Sequence, residues 1–161
     1  RVHIGNGHAP EHATLWSETD NLVLAGDQVL SSISPNIGLY ATEPEADPVG
    51  DWIEACNRLA LLAEERHLVL GGHKLPFSGL PLRLRQLIEN HHGALDRLLR
   101  DLDHPKTAGE CFMALFKRKI KAGEYGLALA ESFAHLHHLY LQGQVRRAIR
   151  ANGAYTYQRN E

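Results

Sequence analysis

Three short stretches carry side chains able to hold a metal: Gly7-His8-Ala9-Pro10-Glu11-His12, Ala25-Gly26-Asp27 and Gly71-Gly72-His73. Each is a glycine-marked turn, and two of them directly follow an apolar, strand-like run. Neutral imidazoles are good nitrogen ligands for zinc-class ions, and a carboxylate can bridge two such ions. Two ions about 3.5–4 Å apart can share a hydroxide and hold both the attacked group and the leaving atom. His8, Asp27 and His73, each at a strand-end turn, match one half of such a site. Strand ends suit the task because the sheet fixes them while the adjoining loops stay free to shape a pocket. Taken singly, each residue reads as a turn or a cap. The ordered set points to metal chemistry.

The elements that must position these residues follow from periodicity. Arg1 to Ile4 alternates as a short strand ending at Gly5-Asn6-Gly7, and Ala13 to Glu18 reads as a second strand with Leu15 and Trp16 on opposite faces. Thr19-Asp20-Asn21 is a turn cluster, and the apolar Leu22 to Ala25 completes a hairpin that stops at Gly26-Asp27. Val29 to Tyr40 has loop composition, close enough to Asp27 to wall a pocket. Asp51 is expected to cap a helix running to about Arg66, with Trp52, Ile53, Cys56 and Leu59 at helical spacing. His67 to Leu70 is the next strand, and the alternation of strand, helix and strand predicts an α/β layer architecture.

Leu80 to Asp103 reads as a long amphipathic helix broken by Asp103-His104-Pro105, which divides the chain into 1–103 and 104–161. In the second part, Thr107 and Glu110 form a capping box for a helix over Cys111 to Phe116. Tyr125 to Leu141 is a further helix, and Val145–Arg150 and Ala154–Gln158 form a hairpin about Asn152-Gly153. Helices followed by a hairpin are the winged-helix pattern, a module found on nucleic acid or on a partner surface.

Composition narrows the classes. The 161 residues are 43% hydrophobic and 22% charged with a formal net charge of −2, which gives no global pull toward nucleic acid or an anionic membrane. No apolar stretch approaches the roughly 20 residues of a membrane helix, and no basic segment with a following apolar run opens the chain. Cys56 and Cys111 read as buried free thiols in a reducing compartment, hence a cytoplasmic placement. Among the 11 histidines, His91, His92, His135, His137 and His138 share no metal face and read as surface or packing residues. Lys117, Arg118, Lys119 and Lys121, with Arg146, Arg147 and Arg150, form two basic clusters, read first as a solvated face and otherwise as phosphate contacts.

Gly-His-Ala-Pro-Glu-His (7–12), Leu-Ala-Gly-Asp-Gln-Val-Leu (24–30) and Leu-Gly-Gly-His-Lys-Leu-Pro (70–76) resemble, in order and approximate spacing, the last three metal motifs of the metallo-β-lactamase-fold hydrolases. The branch resembled most is the glyoxalase II and lactamase-β-like group with an appended C-terminal winged-helix domain. The resemblance implies the C-terminal half of an αββα sandwich followed by a helical, winged-helix-like domain. It makes His8 a ligand of a first metal, Asp27 the bridging carboxylate and catalytic centre, and His73 a ligand of a second metal. His12 then supports the site from behind, and Tyr40 and Lys74 are candidate substrate contacts. The implied cofactor is a pair of divalent ions, zinc or else iron or manganese. The implied activity is hydrolysis of small-molecule esters or thioesters, with nucleic-acid processing as a phosphodiesterase, or nucleic-acid or partner binding through the winged-helix module, as the alternative.

Two departures affect the turns: Ala9 stands where the family has threonine or serine, and Gly71-Gly72-His73-Lys74 where it has Pro-Gly-His-Gly. The family's His-x-His-x-Asp-His motif is absent from these residues. The chain opens on Arg1 with Val2 and Ile4 already alternating, so the remaining ligands are expected from an upstream half, a second polypeptide or an oligomer partner. Three ligands of about seven predict little activity for these residues alone.

Overall fold

The computed structural model describes Arg1–Glu161 in two compact units, one comprising Arg1–Ile37 with Gly50–Asn90, the other Gly38–Val49 with His91–Glu161. The first unit is built on a four-stranded sheet: β1 (Val2–Gly5), β2 (His12–Trp16), β3 (Leu22–Gly26) and β4 (Leu68–Gly71), in that order. β1 pairs antiparallel with β2, β2 antiparallel with β3, and β3 parallel with β4. Three strands therefore run one way and β2 runs against them. The ends of β1, β3 and β4 and the start of β2 lie along one edge, and these are the points at which His8, Asp27, His73 and His12 occur.

Alternation along the strands makes the two faces of the sheet different. Thr14, Trp16, Val23, Ala25 and Val69 are buried, whereas Val2, Ile4, Leu15, Leu24 and Leu68 on the other face are exposed apolar residues. The register places Val2 against Leu15, Leu15 against Leu24 and Leu22 against Leu68, so the exposed residues form one contiguous apolar face.

Helix α1 (Pro48–Ala60) from Gly50 onward and α2 (Leu80–Asp101) as far as Asn90 belong to the same unit. The expected helix from Asp51 to Arg66 begins three residues earlier and ends six earlier. Pro48 has its φ preset for a first helical position, and Asp51 lies in the first turn, where a carboxylate favours the helix dipole. At the other end the chain turns at Leu61 and Leu62, and the Glu64 N–H donates to His67 Nδ1 at 3.0 Å, which sets up β4. The helix stops because the chain must return to lay Leu68 beside Leu22. β2 also starts one residue before its predicted position, placing His12 within the strand.

In the second unit, the predicted capping box at Thr107 and Glu110 takes another form. The Glu110 carboxylate accepts from both the N–H and the hydroxyl of Thr107, at 2.6 and 2.8 Å, while Ala108 stands at the N-cap without a side-chain cap bond. A 3-10 turn over Gly109–Cys111 follows, and then α3 (Phe112–Phe116) ends at Lys117 with a left-handed φ of 55°. Arg97 satisfies the end of α3 by donating to the Ala114 and Leu115 carbonyls at 2.9 and 3.0 Å. α4 (Tyr125–Leu141) has the predicted bounds, and β5 (Val145–Ile149) pairs antiparallel with β6 (Tyr155–Arg159). Helices and hairpin thus occur in the expected order. The helix histidines pack rather than gather at a surface site: His91, His135 and His137 are buried, and His138 Nδ1 lies 2.9 Å from the Asp47 carboxylate.

Candidate metal centre

The parallel pair β3 and β4 brings the two halves of the site together. Gly26 and Gly71 are register partners, and the Gly72 N–H donates to the Gly26 carbonyl at 2.8 Å, so Asp27 and His73 emerge side by side. Gly26 has a positive φ of 52°, the conformation that turns the chain at the strand end and favours glycine. Gln28, fully buried, ties this end to the turn that delivers His8. Its side-chain amide donates to the Asn6 carbonyl at 3.2 Å, and its main-chain carbonyl accepts from the Trp52 indole at 3.2 Å.

His8 and His73 converge on one oxygen. His8 Nε2 is 3.6 Å from Asp27 Oδ2, and His73 Nε2 is 3.3 Å from the same atom. His8 Nδ1 is 2.9 Å from the Asn36 carbonyl. A carbonyl only accepts, so Nδ1 carries the proton, and in the neutral ring the Nε2 lone pair faces the carboxylate. A lone pair facing an anion calls for a cation, and His73 Nε2 faces the same oxygen. Neither gap is a good hydrogen bond, for which the separation is about 2.7–3.2 Å. Two donor atoms of one tetrahedral zinc-class ion, at ligand distances of about 2.0–2.2 Å, stand about 3.4 Å apart. The two gaps therefore fit metal-ligand edges sharing one carboxylate oxygen. The cluster is a pair of two-donor edges, not a cage of three or more donors about one point.

His12 lies behind the carboxylate. Its Nε2 accepts from the Asp27 N–H at 3.3 Å, and its ring covers Gly26, where an added Cβ would collide with His12 Cε1. Burial, reinforced by His8, pushes His12 below the ordinary histidine value, which keeps it neutral and able to accept. Asp27 Oδ1 is buried without a hydrogen-bond partner. Lys74 follows His73 as an exposed residue with a left-handed φ of 72°. Tyr40 belongs to the second unit, where its ring lies against Gly38. Asn36 leaves no signal in its residue type, because it acts through a backbone carbonyl that every residue possesses.

Comparisons with known proteins place the chain among similar folds and sequences. Residues 95–160 match the family described as metallo-beta-lactamase-like, C-terminal domain. The chain is 34% identical to a beta-lactamase domain protein from Burkholderia ambifaria, with a TM-score of 0.92 over 99% of this chain and 48% of that one. It is 36% identical to a metallo-beta-lactamase family protein from Thermus thermophilus, with a TM-score of 0.85 over 99% of this chain and 49% of that one. A probable metallo-hydrolase of Bacillus subtilis, YqjP, is 27% identical over 134 residues, 81% of this chain and 41% of that protein. The chain thus spans about half the length of the proteins it matches. No helix is long and apolar enough to cross a membrane.

Proposed function

We propose that this chain, which is a metallo-β-lactamase-like protein, supplies the His8, Asp27 and His73 ligands of a dinuclear metal site in a hydrolase of ester or thioester substrates. The observation that carries the reading is the convergence of two imidazole Nε2 atoms on Asp27 Oδ2, at separations suited to a shared cation. Divalent ions bound there, zinc or else iron or manganese, supply Lewis-acid polarisation of a carbonyl and acidification of water.

The chain's own residues prepare that chemistry. Asp27 offers Oδ2 toward both histidines and so takes the bridging role. The Asn36 carbonyl holds His8 in the tautomer whose Nε2 can ligate. His12 fixes the Asp27 backbone, and Lys74, adjoining His73, is the candidate contact for the acyl substrate. The remaining ligands, and the cover for the apolar face that contains Val2, Leu15, Leu24 and Leu68, are assigned in this proposal to the rest of the natural-length protein or to a partner chain. The matched relatives, about twice as long, support that assignment.

The test is metal content and thioester turnover of the natural-length protein with His8→Ala and Asp27→Ala. Both quantities are expected to fall sharply, and if both are unchanged the hydrolase reading is wrong. The nucleic-acid alternative leans on two basic clusters, three of whose arginines are already engaged. Arg118 pairs with Glu124 at 2.7 Å, Arg150 lies 3.3 Å from Glu110, and Arg147 is stacked on two tyrosines. Nucleic-acid binding that weakens steeply with salt would restore that alternative.

A further inference from the structure

One guanidinium stands behind both histidines of the cluster. Arg83, half-buried on the first turn of α2, donates from Nε to the Leu30 carbonyl at 2.7 Å and from Nη2 to the Ile33 carbonyl at 2.9 Å. Both carbonyls belong to the irregular segment between β3 and α1, which has no ladder of its own to hold it. At its near end, the Leu30 side chain and the Val29 carbonyl lie against Gly71, where an added Cβ would sit 3.0 Å from Leu30 Cδ2 and 3.2 Å from the carbonyl. Gly71 begins the turn that presents His73. At its far end, the Asn36 carbonyl accepts from His8 Nδ1. The segment therefore touches the support of one ligand and the ring of the other, and Arg83 pins it at two carbonyls between those contacts.

We propose that Arg83 is a positioning residue for the metal site, acting through the Leu30–Ile37 segment on His8 and on the His73 turn. Its planar fork is suited to this role, because two carbonyls are engaged at once by donors in fixed relation. A lysine ammonium is a point donor on a flexible stem and can replace that clamp only in part. The inference rests on the metal-site reading for its consequence, although the orientation of His8 can be measured without any metal.

Two readouts on the natural-length protein test it. Zinc affinity, measured by competition with a chromophoric chelator, is expected to fall about 10- to 100-fold in Arg83→Met, the range for lost support of a metal ligand. Arg83→Lys should give an intermediate loss. In the metal-free protein, long-range 1H–15N spectra of the His8 ring should show one tautomer, protonated at Nδ1, in the parent and a mixture in Arg83→Met. A folded Arg83→Met with unchanged zinc affinity and a single His8 tautomer overturns the proposal. If Arg83→Met does not fold, Arg83→Lys with parental affinity and tautomer overturns it equally. His8→Ala separates the two levels. Unchanged zinc binding there defeats the metal-site reading, whereas loss there with no effect at Arg83 defeats this inference alone.

Discussion

Gly72 lies directly against Asp27: a Cβ added at Gly72 would collide with Asp27 Oδ1, the buried carboxylate oxygen that has no hydrogen-bond partner. Gly72 is exposed and its φ is not in the left-handed region, so alanine is conformationally acceptable there and only the carboxylate stands in its way. Gly72→Ala is therefore expected to act on the site and not on the fold. Metal affinity should drop by about tenfold or more, while the melting temperature moves by no more than a few degrees. Parental affinity in this variant would show that Asp27 does not need its observed position.

His12 gives a second handle on the same carboxylate. His12→Ala removes the acceptor of the Asp27 N–H and empties the space above Gly26. The lost bond is long, at 3.3 Å, and is worth at most about 1 kcal/mol of stability, read from urea unfolding. Metal affinity should fall about tenfold with it. His12→Gln, which restores an acceptor oxygen on a side chain of similar reach, should recover part of both. Equal losses in the Gln and Ala variants would mean that ring packing, not the hydrogen bond, is what matters.

How far these features can be read in the sequence depends on whether a side chain or the backbone acts. His8, Asp27 and His73 can be placed at strand-end turns because three glycine-marked turns carry them in order beside strand-like runs. Tyr125 to Leu141 is legible because, after Gly126 in its first turn, nothing interrupts its helical composition before Gly143, which takes a φ of 67°. The end of α1 is not: Leu61, Leu62 and Ala63 continue a helical spacing, and only the need to bring Leu68 beside Leu22 ends the helix at Ala60. Asn36 and Arg83 leave no mark either, since one offers a main-chain carbonyl and the other reaches two of them. The pairing of His91 with His135 joins residues 44 apart, which local periodicity cannot see.

Arg147 is stacked between two rings, its guanidinium carbon 4.5 Å from the centroids of both Tyr140 and Tyr155. This ties the end of α4 to both strands of the hairpin and removes one of the cations on which phosphate binding would depend. Arg147→Met is expected to cost about 1 kcal/mol in urea unfolding, with Arg147→Lys showing part of that loss because its charge lacks the planar stack. If Arg147→Met leaves stability intact and instead abolishes binding to a nucleic-acid probe, the residue serves a partner and not the hairpin.

The buried histidine pair sets a pH limit on the second unit. His135 Nδ1 donates to the Glu131 carbonyl at 2.8 Å, so His135 Nε2 accepts from His91 Nδ1 at 3.0 Å, and the rings stack with centroids 5.2 Å apart. This relay works only with both rings neutral. Burial, with His135 and His92 nearby, lowers His91 to about 3. Burial, opposed by the Glu131 carbonyl and reinforced by His138 and Arg97, lowers His135 to about 4. The unfolded chain takes up these protons near the ordinary value of about 6.5 and the folded chain does not, so stability is full above that pH and falls as the solution is acidified. Each ring contributes a slope of up to about 1.4 kcal/mol per pH unit, or on the order of 2–5 kcal/mol for the pair between pH 6.5 and 4.5. That window lies above most carboxylate titrations, which isolates the histidines. Urea unfolding at several pH values should show this decline in the parent. The double variant His91→Asn, His135→Gln keeps neutral polar groups in place and should show a much flatter profile. A parent curve that is level from pH 7 to 4.5, or a double variant with the parental slope, would assign the acid sensitivity elsewhere.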